Sequence, residues 1–475
     1  MAYPLGGLTA DIQTDFASTI GVDRVSCNPD VRAAFAVDGI TPSWVLYPAT
    51  VDQVAEMLKC AASRGLAVIP WGNGTKLGIG ARPQQYDVAL SLRDLNRTTY
   101  YEPDDLVASV EPGMSFGALQ QMLDAHRLWV PLDPAGGAQA SVGGILAANA
   151  AGPLRLRYGG PRDMVLGMKI ATAGGKIVKT GGRVVKNVAG YDLAKLLIGS
   201  YDTLGVIVEA TFKLHPQVAQ RTSWVIEIEA LTAGREFRRR LLASPLRPLR
   251  AVLLNTAARA RVEVRGEGPG RPPKPAVWIE AGGSERVMAR YQAELSSLAT
   301  AVGSSMAPVE DAEARGVWDR VADFGNWLTR DWKTPIVLRA ALPIAAAEEF
   351  LGRTEQEAQA EACEAIGLVQ LGVGVVELGL VTGEWQQANC NGGPERSSAD
   401  PNPESRTPNP ALIARLRQTA QKLGGSLVVT RCPVDLKPAM DIWGPVGDDF
   451  EVMRKLKAEW DPKGTLSPGW FLGGI

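Results

Sequence analysis

The sequence predicts an α+β chain of two or more domains, from three observations. At 475 residues it is far longer than one hydrophobic core usually serves. Its first half, to about Pro216, alternates short apolar runs with helical patterns and is dense in glycine motifs. Its second half reads as strands of an antiparallel sheet with helices on one face, interrupted by two polar inserts.

The elements justify themselves in order. "WVLYPAT" (Trp44–Thr50) is a short strand, and Thr50 with Gln53 three residues on forms a capping-box pattern. The helix that follows puts Val54, Met57, Leu58, Ala61 and Ala62 on one face and stops at Gly65. "LAVIPW" is a buried strand, and "DVALSLRDL" and "LVASVEPG" are two more, which makes a small α/β unit. Ser115 caps the helix of "SFGALQQMLDAH". "MVLGMKIATAGGKIVKTGG" is a hairpin turning at Gly174–Gly175, "GYDLAKLLIGS" a short helix and "LGVIVEATFKLHP" a long strand. Further on, "SWVIEIEAL", "AVLLNT", "AVWIEAGG" and "TPIVLRAALP" are strands, and "ERVMARYQAELSSLATAVG" is a helix. The inserts Arg265–Pro275 and Gln386–Pro410 lack core material and are expected to be loops, the second a mobile one.

Bulk composition excludes several functions. Lys plus Arg (50) nearly cancels Asp plus Glu (51), and the pI is about 6.3, so nothing suggests a nucleic-acid groove or an anionic membrane surface. The five cysteines are scattered without CxxC spacing, which argues against an iron–sulfur cluster or structural zinc in this chain. Two histidines, His126 and His215, cannot build a metal site of several imidazoles. No secretion signal and no membrane-long apolar run is seen, so a cytoplasmic location is expected, with attachment to the inner membrane through partners left open.

The stretch "PWGNGTKLGIG" (Pro70–Gly80) carries four glycines and one charge, Lys76, directly after a strand. Its spacing fits neither the GxGxxG dinucleotide fingerprint nor a GxxxxGK[ST] phosphate loop. What it offers is a nest of backbone N–H groups from Gly72 to Thr75, although a plain glycine turn would read the same way. In "DPAGGAQASVGGILAAN", Ser141 can cap a helix whose first turn, Gly143–Gly144, has no side chains. A helix start so bare would suit a pyrophosphate, and it would equally suit tight packing through Ala147, Ala148 and Ala150.

A third segment, "GGRVVKNVAGYDLAKLLIGSYDTLGVIVEATFKLHP" (Gly181–Pro216), makes the three together resemble the FAD-binding domain of the vanillyl-alcohol oxidase (PCMH-type) flavoprotein superfamily. "KPAMDIWGP" (Lys437–Pro445) and "DPKGTLSPGWFLGGI" (Asp461–Ile475) narrow the likeness to the GlcE-type FAD-binding subunits of bacterial glycolate oxidases. It covers Trp44–Pro216 and the last forty or so residues, and is thin between them.

The resemblance implies a lead-in (1–40), a PCMH-type FAD-binding domain (41–216, subdomains about 41–96 and 97–216) and an α+β cap domain with an antiparallel sheet (217–440, insert 386–410). A C-terminal segment (441–475) returns to the FAD domain. It implies that Pro70, Trp71, Gly72, Asn73, Gly74 and Thr75 hold the FAD pyrophosphate. Asp133, Pro134, Ala140, Ser141, Val142, Gly143 and Gly144, with Asn149 behind, form a second contact, and Gly205, Val206 and Ile207 a third. Lys186, Asn187, Tyr191 and Asp192 match a signature near the flavin, with a structural role equally open for the last two. Asp202 departs from the glycine more usual there. No histidine, cysteine or tyrosine stands in the glycine loop, so the FAD is expected to be non-covalent, and no metal is expected.

The implied activity is oxidation of glycolate or D-lactate to the 2-keto acid, within a complex containing a catalytic flavoprotein subunit and an iron–sulfur subunit. Carboxylate anchors could be Lys333, Arg339 or Arg431, while the catalytic residue stays open. Two alternatives stand beside this reading: an FAD-binding electron-transfer or assembly subunit without turnover of its own, and a free-standing oxidase of a different alcohol or sugar.

Overall fold

The computed structural model describes residues 5–184, 190–263, 273–383 and 408–475. Lys186, Asn187 and most of both inserts therefore lie outside the described residues. The chain divides into two compact units, the first built from 1–151, 159–217 and 445–475, the second from 152–158 and 218–444.

In the first unit, strands Trp44–Leu46, Val68–Trp71 and Val88–Ser91 pair in parallel, joined by the helix Val51–Arg64. That helix starts as its residues dictate. Thr50 Oγ1 accepts from the Gln53 N–H at 3.2 Å, and Gln53 Oε1 reaches back to the Ala49 N–H at 2.7 Å. It ends at Gly65, whose φ of +67° is open to glycine at little cost. The helix Leu5–Ile20, in the stretch expected to be a lead-in, sends Ile12, Phe16 and Ile20 into the same core as Met57, Leu58 and Val88.

A second sheet is antiparallel, in the order Thr98–Glu102, Val107–Val110, Val206–Lys213, Val165–Ala171, Ile177–Gly181. Its last two strands are the expected hairpin, with Gly175 at φ +78°. The C-terminal stretch completes the unit. Val68 donates to the Thr465 carbonyl at 2.7 Å and accepts from the Ser467 N–H at 3.0 Å, so the outer edge of the parallel sheet is occupied. Asp461 fixes that stretch: its carboxylate accepts from the N–H groups of Thr465 and Leu466 and from Lys457 Nζ at 2.7–2.9 Å.

The second unit is an eight-stranded, wholly antiparallel sheet. Helices cover both faces rather than the one expected. Val252, Leu254 and Trp278 pack with the helices Thr256–Val262, Asp311–Ala322 and Phe324–Asp331. On the other face a Cβ at Gly234, in the helix Leu231–Ala243, would lie 2.2 Å from Leu253 Cδ1. The physical reason is in the strands, since all six residues from Ala276 to Ala281 are buried, Glu280 included. Glu280 is tolerated there because Arg250 meets it through two hydrogen bonds, at 2.8 and 3.1 Å. Among the described residues, no helix is long and apolar enough to cross a membrane.

Candidate functional site

The strand Val68–Trp71 delivers the chain into the glycine loop, and close neighbours explain the glycines. A Cβ on Gly72 would stand 1.9 Å from Ser141 Oγ and 2.8 Å from Ser141 Cβ, so only a bare α-carbon lets the loop reach the cap of the helix Val142–Ala147. At Gly80 a Cβ would fall 2.1 Å from Trp470 Cδ1, on an indole whose N–H donates to the Ile79 carbonyl. Asn73 Nδ2 donates to the Gln139 carbonyl at 2.8 Å. Lys76 Nζ donates to Thr75 Oγ1 at 3.3 Å and to the Ala135 carbonyl. The loop is thereby fastened to the segment 135–141.

Its amides are the chemical feature. Among the described residues, the N–H groups of Gly72, Asn73 and Gly74 have no hydrogen-bond acceptor. Gly74 lies at φ +74°, and successive N–H groups ending on a left-handed residue make a concave donor set for an anionic oxygen. The helix start at Ser141 behaves differently, and the expectation of bare N–H groups there is corrected. Val142 donates to the Met114 carbonyl at 2.9 Å, Gly143 to the Pro112 carbonyl at 2.8 Å and Gly144 to Ser141 Oγ at 3.3 Å. A β-bridge between Ser115 and Ser141 brings those carbonyls into reach. Gly143 instead serves close approach: a Cβ on it would lie 2.8 Å from Pro112 Cβ.

These elements border an open cleft. Of the residues singled out from sequence, Pro70, Gly72, Asn73, Gly74, Thr75, Ser141, Gly143, Gly144 and Ile207 line it. Trp71, Asp133, Pro134, Ala140, Val142, Asn149, Gly205 and Val206 stand outside its lining. Trp71 donates to the Tyr86 hydroxyl at 2.7 Å, and Ala140, Val142 and Val206 are buried in packing. Asn149 sits at φ +47° with Oδ1 buried and without a partner.

Among the lining residues that the sequence did not assign to the site are Tyr201, Asp202 and Trp470. Tyr201 and Asp202 are consecutive at φ +52° and +58°, a conformation that side chains other than glycine rarely adopt. The signal was present in Asp202, where glycine was expected. As a residue Asp202 is only half-buried, yet burial of its carboxyl pushes the pKa up to about 7.

The two histidines lie in the first unit away from this cleft. His126 Nδ1 is 3.0 Å from the Tyr101 hydroxyl, and His215 pairs with Trp129 in a short β-ladder. Of the possible anchors in the second unit, Arg339 stands opposite Glu377 across two strands, and Arg431 Nη2 donates to Asn326 Oδ1 at 3.2 Å. Lys333 is exposed. Among the described residues no group of three or more His, Cys, Asp and Glu could hold a metal ion.

Residues 42–181 match the family described as "FAD binding domain". The chain is 25% identical over 283 residues to glycolate oxidase subunit GlcD of Bacillus subtilis, covering 55% of this chain and 60% of that protein. It thus spans less than two thirds of that relative's length. It is 26% identical over 433 residues to D-lactate dehydrogenase of Archaeoglobus fulgidus, covering 90% of each. Among solved structures, 4-ethylphenol oxidase from Gulosibacter chungangensis superposes with a TM-score of 0.73 at 16% identity, over 98% of this chain and 97% of that one. The fold is the PCMH type, and the cofactor is FAD. The cleft suits it chemically. Unpaired amides and Lys76 favour a pyrophosphate, the bare backbone at Gly143–Gly144 leaves room, and Asp202 is held toward its neutral form.

Proposed function

We propose that this chain is the GlcE-type FAD-binding subunit of a glycolate (2-hydroxyacid) oxidase complex, which oxidises glycolate or D-lactate to the keto acid and passes electrons to an iron–sulfur partner. The observation that carries the reading is the run of unpartnered amides at Gly72, Asn73 and Gly74, opening on a cleft in a unit that matches an FAD binding domain. The relatives support the substrate class, being named for glycolate oxidation and D-lactate dehydrogenation.

When bound, FAD supplies a two-electron acceptor for hydride from the substrate's α-carbon. The chain's own residues do the rest. The Gly72–Gly74 amides hold phosphate oxygens, and Ser141, Gly143 and Gly144 line the same space, the two glycines without side chains. Thr75 and Ile207 border the same space, and Trp470 closes it from the C-terminal stretch. With no His, Cys or Tyr in the stretch Pro70–Gly80, retention of the cofactor rests on these non-covalent contacts.

The test is spectroscopic. The purified, FAD-loaded chain is mixed anaerobically with glycolate or D-lactate, and the flavin absorbance is followed. Bleaching by either supports turnover by this chain. An unchanged spectrum from fully loaded protein overturns it and leaves an electron-transfer or assembly subunit. Affinity purification from native cells should bring down a second flavoprotein and an iron–sulfur protein, and a chain recovered alone would count against the complex.

A further inference from the structure

The second unit contains a pocket that the proposed activity does not use. It is lined by three arginines (Arg157, Arg247 and Arg290) and two tyrosines (Tyr158 and Tyr291). Segment 152–158, which interrupts the first unit's sequence, brings Arg157 and Tyr158 to it. The cations converge: Arg157 acts electrostatically on both phenols, Arg221 on Tyr158, and Arg247 and Arg290 on Tyr291.

Negative charge nearby is already engaged. Glu294 pairs with Arg290, and Glu280 is held by Arg250 through two hydrogen bonds. Arg247 is pre-positioned, its guanidinium donating to the carbonyls of Ser244 and Leu246 at 2.8 and 2.7 Å and its backbone N–H to the Tyr291 hydroxyl at 2.9 Å. The remaining wall is apolar, from Val218, Leu246, Leu249 and Val287. With Glu294 offsetting Arg290, it is Arg157 and Arg247 that give this concavity a local excess of positive charge in a chain of net charge −1.

We propose that this pocket binds a small organic dianion, a phosphate monoester or a dicarboxylate, with its charged head on Arg157, Arg247 and Arg290 and its body on the Tyr158, Tyr291 and Leu249 wall. Guanidinium forks match both heads through paired hydrogen bonds, and the apolar wall discriminates against bare inorganic ions.

The experiment is calorimetric titration of the full chain, saturated with FAD so that its own anion seat is filled. Phenyl phosphate and phthalate are the probes, and inorganic phosphate is the control. Either probe should bind more tightly than inorganic phosphate, and which one does identifies the head group. Arg157→Gln and Arg290→Gln should each weaken binding about tenfold. Val287→Glu, at an exposed lining position, should abolish it without touching an arginine. The flavin spectrum should stay unchanged in all three variants. No heat from either probe up to about 10 mM, equal affinity in the variants, or inorganic phosphate binding as tightly as phenyl phosphate would each overturn the proposal.

Discussion

At the scale of single residues, two positions near the cleft carry opposite lessons. Gly72 is fixed by proximity, because no side chain fits between the loop and Ser141. Gly72→Ala should therefore weaken FAD binding by at least about tenfold, read as flavin retained after dialysis; a mutant that keeps its full chromophore would refute this. Gly74→Val adds strain at φ +74° and should likewise yield pale protein. Asp202 is placed against its own preference. Its carboxyl is raised from 3.8 to about 7, so the unfolded chain releases this proton well before the folded one does. The resulting destabilisation is absent below about pH 4, grows between the two values and is constant above about pH 7. Asp202→Asn, which tolerates the left-handed backbone, should melt higher than the parent above pH 7, and this gain should vanish toward pH 4. A gain independent of pH would show that backbone strain alone is at issue.

Elements show how far the sequence could be read. The caps of the helices Val51–Arg64 and Phe116–Asp124 were legible because Thr50, Gly65 and Ser115 act on their own neighbours. The start of Val142–Ala147 was legible as a capped helix, but not as one whose amides are consumed. Met114 and Pro112 supply the acceptors from a different part of the chain, and no local pattern announces that pairing. Strands such as Glu364–Gln370 and Val375–Val381 escaped for a similar reason, since their apolar runs are defined by packing on both faces. The turn after the helix Phe450–Trp460 depends on a buried pair, Lys457 and Asp461, with Lys457 Nζ also donating to the Thr203 and Leu466 carbonyls at 2.8 Å. Removing one partner strands the other away from water. Asp461→Ala should cost about 3–5 kcal/mol in urea unfolding, and a loss under about 1 kcal/mol would show that the pair is dispensable.

On the scale of the whole molecule, the first unit is assembled from distant stretches of sequence. Its last part, 445–475, occupies the edge beside Val68 and places Trp470 against Gly80. Deleting it should expose that sheet edge and open the cleft, giving protein that aggregates and retains no flavin. A truncated chain that stays yellow and monomeric would contradict the role assigned to Trp470. By itself, the sequence determined the glycine loop, the capped helix starts, the hairpin at Gly174–Gly175 and the paucity of imidazole, because each depends on residues adjacent in the chain or on simple counts. Only the tertiary structure decided which amides remain free, that Tyr201, Asp202 and Trp470 share the cleft, and that four arginines gather around Tyr158 and Tyr291. Those outcomes depend on which distant carbonyls and side chains come within hydrogen-bonding or Coulombic range, a relation that spacing along the chain does not encode.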